Sequence, residues 1–155
     1  MDSMVEPETL RNRITRIIAA TRFPFVDQED WGEGYVTIVN DEAKRRGVAS
    51  ESGTVYPSIV IARADGGIQE IGEVEPEEGV TVSSVPKWRL YSETAGKRRY
   101  VKKFFLYVPE GCEEKAVKLL ENNGIEYAGV RTYAIRDGAL VMTPIKSNDG
   151  PHDHR

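Results

Sequence analysis

A chain of 155 residues has the length of one domain with room for a sizeable core, and 39% hydrophobic with 30% charged residues is ordinary globular composition. The formal net charge of -4 excludes nucleic-acid binding through overall charge, so any such contact must come from a local patch. One cysteine excludes an internal disulfide, and no apolar run is long enough for a membrane span or a signal-peptide core, so a cytoplasmic protein without membrane contact is expected.

In chain order, the spacing of Leu10, Ile14, Ile17 and Ile18 predicts a helix over 6–20 with one buried stripe. Arg11, Arg13 and Arg16 lie off that stripe and read as a solvated face. Phe23-Pro24-Phe25 breaks the helix, and 27–34 is a loop. A second helix is expected over 35–46, with Val36, Val39 and Ala43 on its apolar edge. Gly47 would close it as a left-handed cap, and Lys44, Arg45 and Arg46 suit its negative end. Asp41 and Glu42 would sit in its latter half.

The stretch 55–75 reads as a hairpin: a β-branched run, a turn at Asp65-Gly66-Gly67, and a return ending in Glu73-Val74-Glu75. Side chains alternate across a strand, so Glu73 and Glu75 share a face with Cβ atoms roughly 6–7 Å apart. That spacing lets both carboxylates serve one cation site. Ser58 lies on the partner strand, within reach of the same face.

A short helix is expected over 84–94, with Ser84 as its N-cap and Pro86 in its first turn. Between residues 87 and 103 the charge reverses: Lys87, Arg89, Lys97, Arg98, Arg99, Lys102 and Lys103 face only Glu93, with Trp88, Tyr91 and Tyr100 interleaved. Cations with aromatics between them suit a phosphate backbone, although a loop needing only solvation has the same composition. The near-continuous apolar run 103–108 is the pattern of a strand covered on both faces.

A helix follows over 112–123, capped by Gly124; Cys112, with no histidine near it in the folded region, reads as a cap or packing residue. Strands over 127–135 and 139–145 close the fold around a turn at Arg136-Asp137-Gly138. The polar end 146–155 is expected to be disordered, which would leave His152, His154, Asp149 and Asp153 a weak metal site at best. The division is then 1–34 as helix and loop, 35–145 as core and 146–155 as tail. The strand-helix-strand stretch 103–135 reads as a right-handed crossover, which makes the fold an α/β sandwich around one mixed sheet.

The order of these pieces is a helix, a strand bearing YPSIVIA, a strand bearing GEVE, a helix with Trp88 and Tyr91, the strand FFLYVPEG, a helix and the strand VRTY. Over residues 35–145 this resembles the PD-(D/E)XK nuclease superfamily, closest to small prokaryotic members with an IGEVE-type strand. The resemblance implies a three-layer-type sandwich with a restriction-endonuclease-like core and magnesium- or manganese-dependent hydrolysis of nucleic acid, DNA before RNA. It places the family's proline at Pro57, its acidic position at Glu73 and its helix-borne acid at Glu42. Two positions depart: Ser58 stands where the family has a metal-binding Asp, and Glu75 where it has Lys. The implied metal set is Glu42, Ser58 and Glu73. Catalysis would fall to Glu42, Glu73, Glu75 and Lys87, the last standing in for the missing lysine. The basic stretch itself gives Lys97, Arg98, Arg99 and Lys102 as the expected nucleic-acid contacts. A nuclease, a nuclease-fold binder without catalysis and a partner-binding domain all remain open, as does a homodimer.

Overall fold

A computed structural model describes residues 7–150 and 152–155. Residues 1–6, including Glu6 at the expected start of the first helix, lie outside the described set, as does Pro151. Helix α1 (Pro7–Arg22) leads into β1 (Val36–Val39), a small hairpin of β2 (Val48–Ser50) and β3 (Gly53–Val55), then β4 (Ile59–Ala62) and β5 (Ile68–Val74). Helix α2 (Val85–Thr94), the short hairpin β6 (Lys97–Arg98) and β7 (Val101–Lys102), β8 (Phe104–Pro109), α3 (Glu113–Asn122), β9 (Gly129–Arg136) and β10 (Ala139–Ser147) complete the chain. Among the described residues no helix is long and apolar enough to cross a membrane.

Six strands form one mixed sheet in the order β1-β4-β5-β8-β9-β10. Strand β4 runs antiparallel to both β1 and β5, whereas β5, β8 and β9 are parallel. Parallel neighbours need a crossover, and α2 and α3 supply the two. The helices lie on both faces. Ile14, Ile18 and Phe23 of the α1 segment cover Ile59, Ile61, Val74 and Phe105 on one side. Trp88 and Tyr91 of α2, with Ala116 and Leu120 of α3, cover Ile71, Phe104, Leu106 and Val130 on the other. The protein is therefore an α/β sandwich with a mixed sheet between helical layers. Strand β8 is apolar almost throughout because both its faces are covered.

Two expected elements fail, and of the expected buried stripe of α1 only Ile14 and Ile18 are buried, Leu10 and Ile17 being exposed. Residues 35–46 do not form a helix. Val36-Thr37-Ile38-Val39 is a β-branched run and pairs antiparallel with β4 at the sheet edge. The loop after it wraps the buried Asn40, whose amide donates to Arg46 O (2.6 Å) and Pro57 O (2.7 Å) and accepts from Arg45 and Arg46 N–H. Gly47 caps nothing, because no helix precedes it. The second failure is the polar end, whose described residues are packed rather than disordered: Arg155 is 1% exposed, and the side chains of Asp149 and Asp153 are covered beside Lys103 and Arg131. Their polarity is compensated by opposite charges far away in sequence, which composition alone does not reveal.

Smaller adjustments concern ends and caps. The hairpin strand begins at Ile59, and its turn uses Gly66 at φ 87° with Gly67 N–H donating to Asp65 Oδ1 (2.8 Å). Neither Ser84 nor Cys112 makes a side-chain cap bond to its helix.

Candidate acid–lysine site

Strand β5 ends beside the end of β8, and Glu75 N–H extends their parallel ladder by donating to Tyr107 O (2.8 Å). Glu73 and Glu75 thus point to the α2 face, as the two-residue spacing requires. Both are 2% exposed. Ser58, just before β4, ties the two strands together. Its N–H and Oγ–H both donate to Glu73 Oε1 (2.8 and 3.0 Å), while its Oγ accepts from Val74 N–H (3.0 Å).

The other Glu73 oxygen meets Lys87 Nζ at 3.0 Å, and the same ammonium lies 2.8 Å from Glu75 Oε2. Helix α2 presents Lys87 and Trp88 side by side, and the indole N–H also donates to Glu75 Oε2 (2.7 Å). Gly79 belongs to this arrangement, since a Cβ there would fall 2.2 Å from Glu75 Oε1. The side chain of Lys87 is 32% exposed, which makes it the opening of an otherwise closed cluster. Tyr133 closes the back by donating its hydroxyl to Glu75 O (2.7 Å).

Electrostatics follow from burial. Glu75 is raised above the ordinary carboxyl value by burial and by the charge of Glu73, against the pull of Lys87 and Trp88. Burial works against the charge on Lys87, but Glu73 and Glu75 outweigh it and hold the ammonium above its ordinary value. Tyr91 is raised by burial and by the same two carboxylates, so its hydroxyl stays protonated.

The remaining predicted residues lie elsewhere. Glu42 is on the loop after β1, exposed, and bonded to Arg16 at 3.1 Å. Its neighbour Asp41 is held below the usual carboxyl range by Ala43 N–H and by Arg16 and Arg45. Among the described residues no three of His, Cys, Asp and Glu converge as a metal-holding group, so Glu42 does not join Glu73 and Glu75.

Lys97, Arg98, Arg99 and Lys102 lie on the β6–β7 hairpin. It is anchored at the opposite end of β5, where Gly96 N–H donates to Gln69 O (2.9 Å). Arg98 pairs with Asp30 (3.4 Å), Lys97 stands 3.8 Å from Glu126, and Lys102 donates to Glu93 O and Ala95 O at the end of α2. Arg99 and Tyr100, both at positive φ, form the hairpin tip. Sequence reasoning missed the indole of Trp88 as a carboxylate partner; its signal was the adjacency of Lys87 and Trp88 on one predicted helix.

The two carboxylates of β5 converge on one cation position, at which Lys87 stands. A divalent ion at that position would have two carboxylate ligands and would displace the Lys87 ammonium; magnesium commonly takes one or two carboxylates and completes its shell with water and substrate phosphate. Glu73 and Glu75 would hold it; the hydroxyl of Ser58 is already committed to Glu73 and Val74. Comparison of the chain with protein-family models, with curated proteins and with solved structures finds no match.

Proposed function

We propose that the chain is a PD-(D/E)XK nuclease-like protein whose working groups are Glu73, Glu75 and Lys87. The observation that carries this reading is the single ammonium of Lys87 bonded to carboxylates from two positions of one strand. It supplies from a helix the positive charge that the resemblance expects where Glu75 stands. The element order supports it too: helix α1, the antiparallel strands β1, β4 and β5, crossover helix α2 and parallel strand β8, a restriction-endonuclease-like succession. The cluster lies at the carboxyl ends of parallel strands, where open α/β sheets bind their ligands.

The substrate class is nucleic acid, with DNA preferred, and the reaction is hydrolysis of a phosphodiester. A magnesium or manganese ion bound by Glu73 and Glu75 would stabilise charge on the phosphate and acidify the attacking water. Ser58 fixes the rotamer of Glu73 through two hydrogen bonds, and Trp88 fixes that of Glu75. Glu75, whose carboxyl is raised by burial and by the charge of Glu73, is the group placed to accept a proton from the attacking water. Lys87, one-third exposed, has the charge to stand against a phosphate oxygen. The test is a divalent-metal titration with single- and double-stranded substrates. Magnesium- or manganese-dependent cleavage, lost in both Glu73→Gln and Lys87→Met, is expected.

A second reading is favoured by Ser58, a neutral residue where the resemblance expects a metal-binding acid. On that reading catalysis has lapsed and nucleic acid is bound without being cut. Salt-sensitive binding that survives Glu73→Gln but weakens in Arg98→Gln/Arg99→Gln, with no cleavage in any metal, selects it.

A further inference from the structure

The second buried ionic cluster lies at the other end of β5, on its α1 face, and is independent of the proposed nuclease site. Its centre is Arg155, 1% exposed although it belongs to a polar segment. Arg155 Nη1 donates to Glu70 Oε2 (2.6 Å), Nη2 donates to Asp30 Oδ2 (3.1 Å) and to Asp153, and Nε donates to Asp153 Oδ1 (3.0 Å). The guanidinium carbon stands 5.2 Å from the centre of the Phe105 ring. Three carboxylates around the fork and an aromatic floor are what a planar guanidinium matches and a compact ammonium does not.

These groups come from two bodies. Glu70 is on β5, Phe105 on β8 and Asp30 on the loop before β1, and none belongs to the segment that carries Arg155. The described residues of this segment, 148–150 and 152–155, dock by charge matching. Its Asp149 meets Lys103 (2.7 Å), its Asp153 lies 3.9 Å from Arg131, and its Arg155 meets Glu70 and Asp30. A cavity of about 770 Å³ lined by Asp30, Arg98, Lys103, Asp149, Asp153 and Arg155 leads to the cluster from outside. One oxygen of Glu70, Oε1, is buried without a hydrogen-bond partner, so the carboxylate has an unused acceptor.

We propose that Glu70, Asp30 and Phe105 form a guanidinium-binding pocket, that Arg155 is its internal ligand, and that its occupancy straps residues 148–155 to the sheet. The pocket takes an alkylguanidinium, supplied here by the chain itself. Removing the Arg155 side chain leaves a vacancy of the right charge and shape for a small guanidinium from solution.

The test is chemical rescue of full-length Arg155→Ala by methylguanidinium, against equal concentrations of methylammonium and sodium chloride, read as the thermal midpoint. Burial pushes Glu70 up to about 7, against Arg155 and Lys103, and Asp149 up to about 6. Lys103, Arg131, Asp30, Asp153 and Tyr107 also face the pocket. A guanidinium binds the ionised Glu70, so rescue should be stronger at pH 8 than at pH 6.

A saturable rise of several degrees, specific to methylguanidinium and absent from Arg155→Ala/Glu70→Gln, is the expected result. If Arg155→Ala fails to fold alone, refolding yield with methylguanidinium against methylammonium reads the same recognition. Equal effects of the two cations, or the same gain in the double variant, would overturn the proposal.

Discussion

Glu70 and Glu73 stand on the same strand, three residues apart, and both are 2% exposed. An odd separation puts them on opposite faces of the sheet, and their surroundings diverge from there. Glu70 finds its cation in Arg155, 85 residues away, inside a cluster whose Lys103, Arg131, Asp149, Asp153 and Arg155 side chains are all at most 7% exposed. Glu73 finds its partners in Ser58 and Lys87, within 15 residues on either side, and Lys87 is one-third open to solvent. The contrast teaches that buried charge alone does not mark a working site. The cluster joined across long sequence separation ties distant parts of the chain together, whereas the cluster on the α2 face meets solvent at its one partly exposed cation.

The contrast can be broken by removing the cation from each. Arg155→Ala leaves the buried Glu70 carboxylate without its cation and is expected to cost about 3–5 kcal/mol of unfolding free energy. Lys87→Met leaves Glu73 and Glu75 with Ser58, Trp88 and access to water, and is expected to cost about 1–2 kcal/mol. Urea midpoints of the two variants decide the matter, and equal losses would erase the distinction. Ser58→Ala comes next, because it leaves the buried Val74 N–H without its acceptor and removes one bond to Glu73; about 1–2 kcal/mol is expected from the same titration.

The pH dependence sharpens the comparison further. Because Glu75 is raised in the folded state, that state holds its proton more tightly than the unfolded chain does. Its contribution is therefore fully present below the ordinary value of 4.5 and is lost as pH rises through the folded value. Glu75→Gln should remove that decline, which urea midpoints across acid to neutral pH will register as a flatter profile. The smallest effect is expected at the hairpin: Arg98→Gln/Arg99→Gln should change stability by no more than about 0.5 kcal/mol. The same double variant should reduce the salt dependence of nucleic-acid binding, measured by fluorescence anisotropy.

Much of the sheet was legible in the sequence because it depends on local patterns. The apolar run of β8, the Asp65-Gly66-Gly67 turn and the Ala116–Leu120 stripe of α3 each announce their element within a few residues. Residues 35–46 misled because Val36 and Val39 satisfy a helical spacing while their β-branched chains favour the strand that forms. The polar end misled for the opposite reason, since Lys103, Arg131 and Glu70 sit on strands distant in sequence. At the candidate site, alternation on β5 was enough to pair Glu73 with Glu75, and the nearness of Lys87 in sequence pointed to its place. Glu42 was carried by the resemblance onto a helix that is instead a loop, where Arg16 takes its charge.

Glu73 and Glu75 share one cation position, which the proposed function assigns to a divalent ion. Titration of manganese into the full-length protein, followed by electron paramagnetic resonance of the free ion, tests this without reference to catalysis. One manganese bound per chain, with affinity lowered at least tenfold in Glu73→Gln and raised in Lys87→Met, is the predicted result. Absence of binding in both the parent protein and Lys87→Met, or binding unaffected by Glu73→Gln, would contradict it.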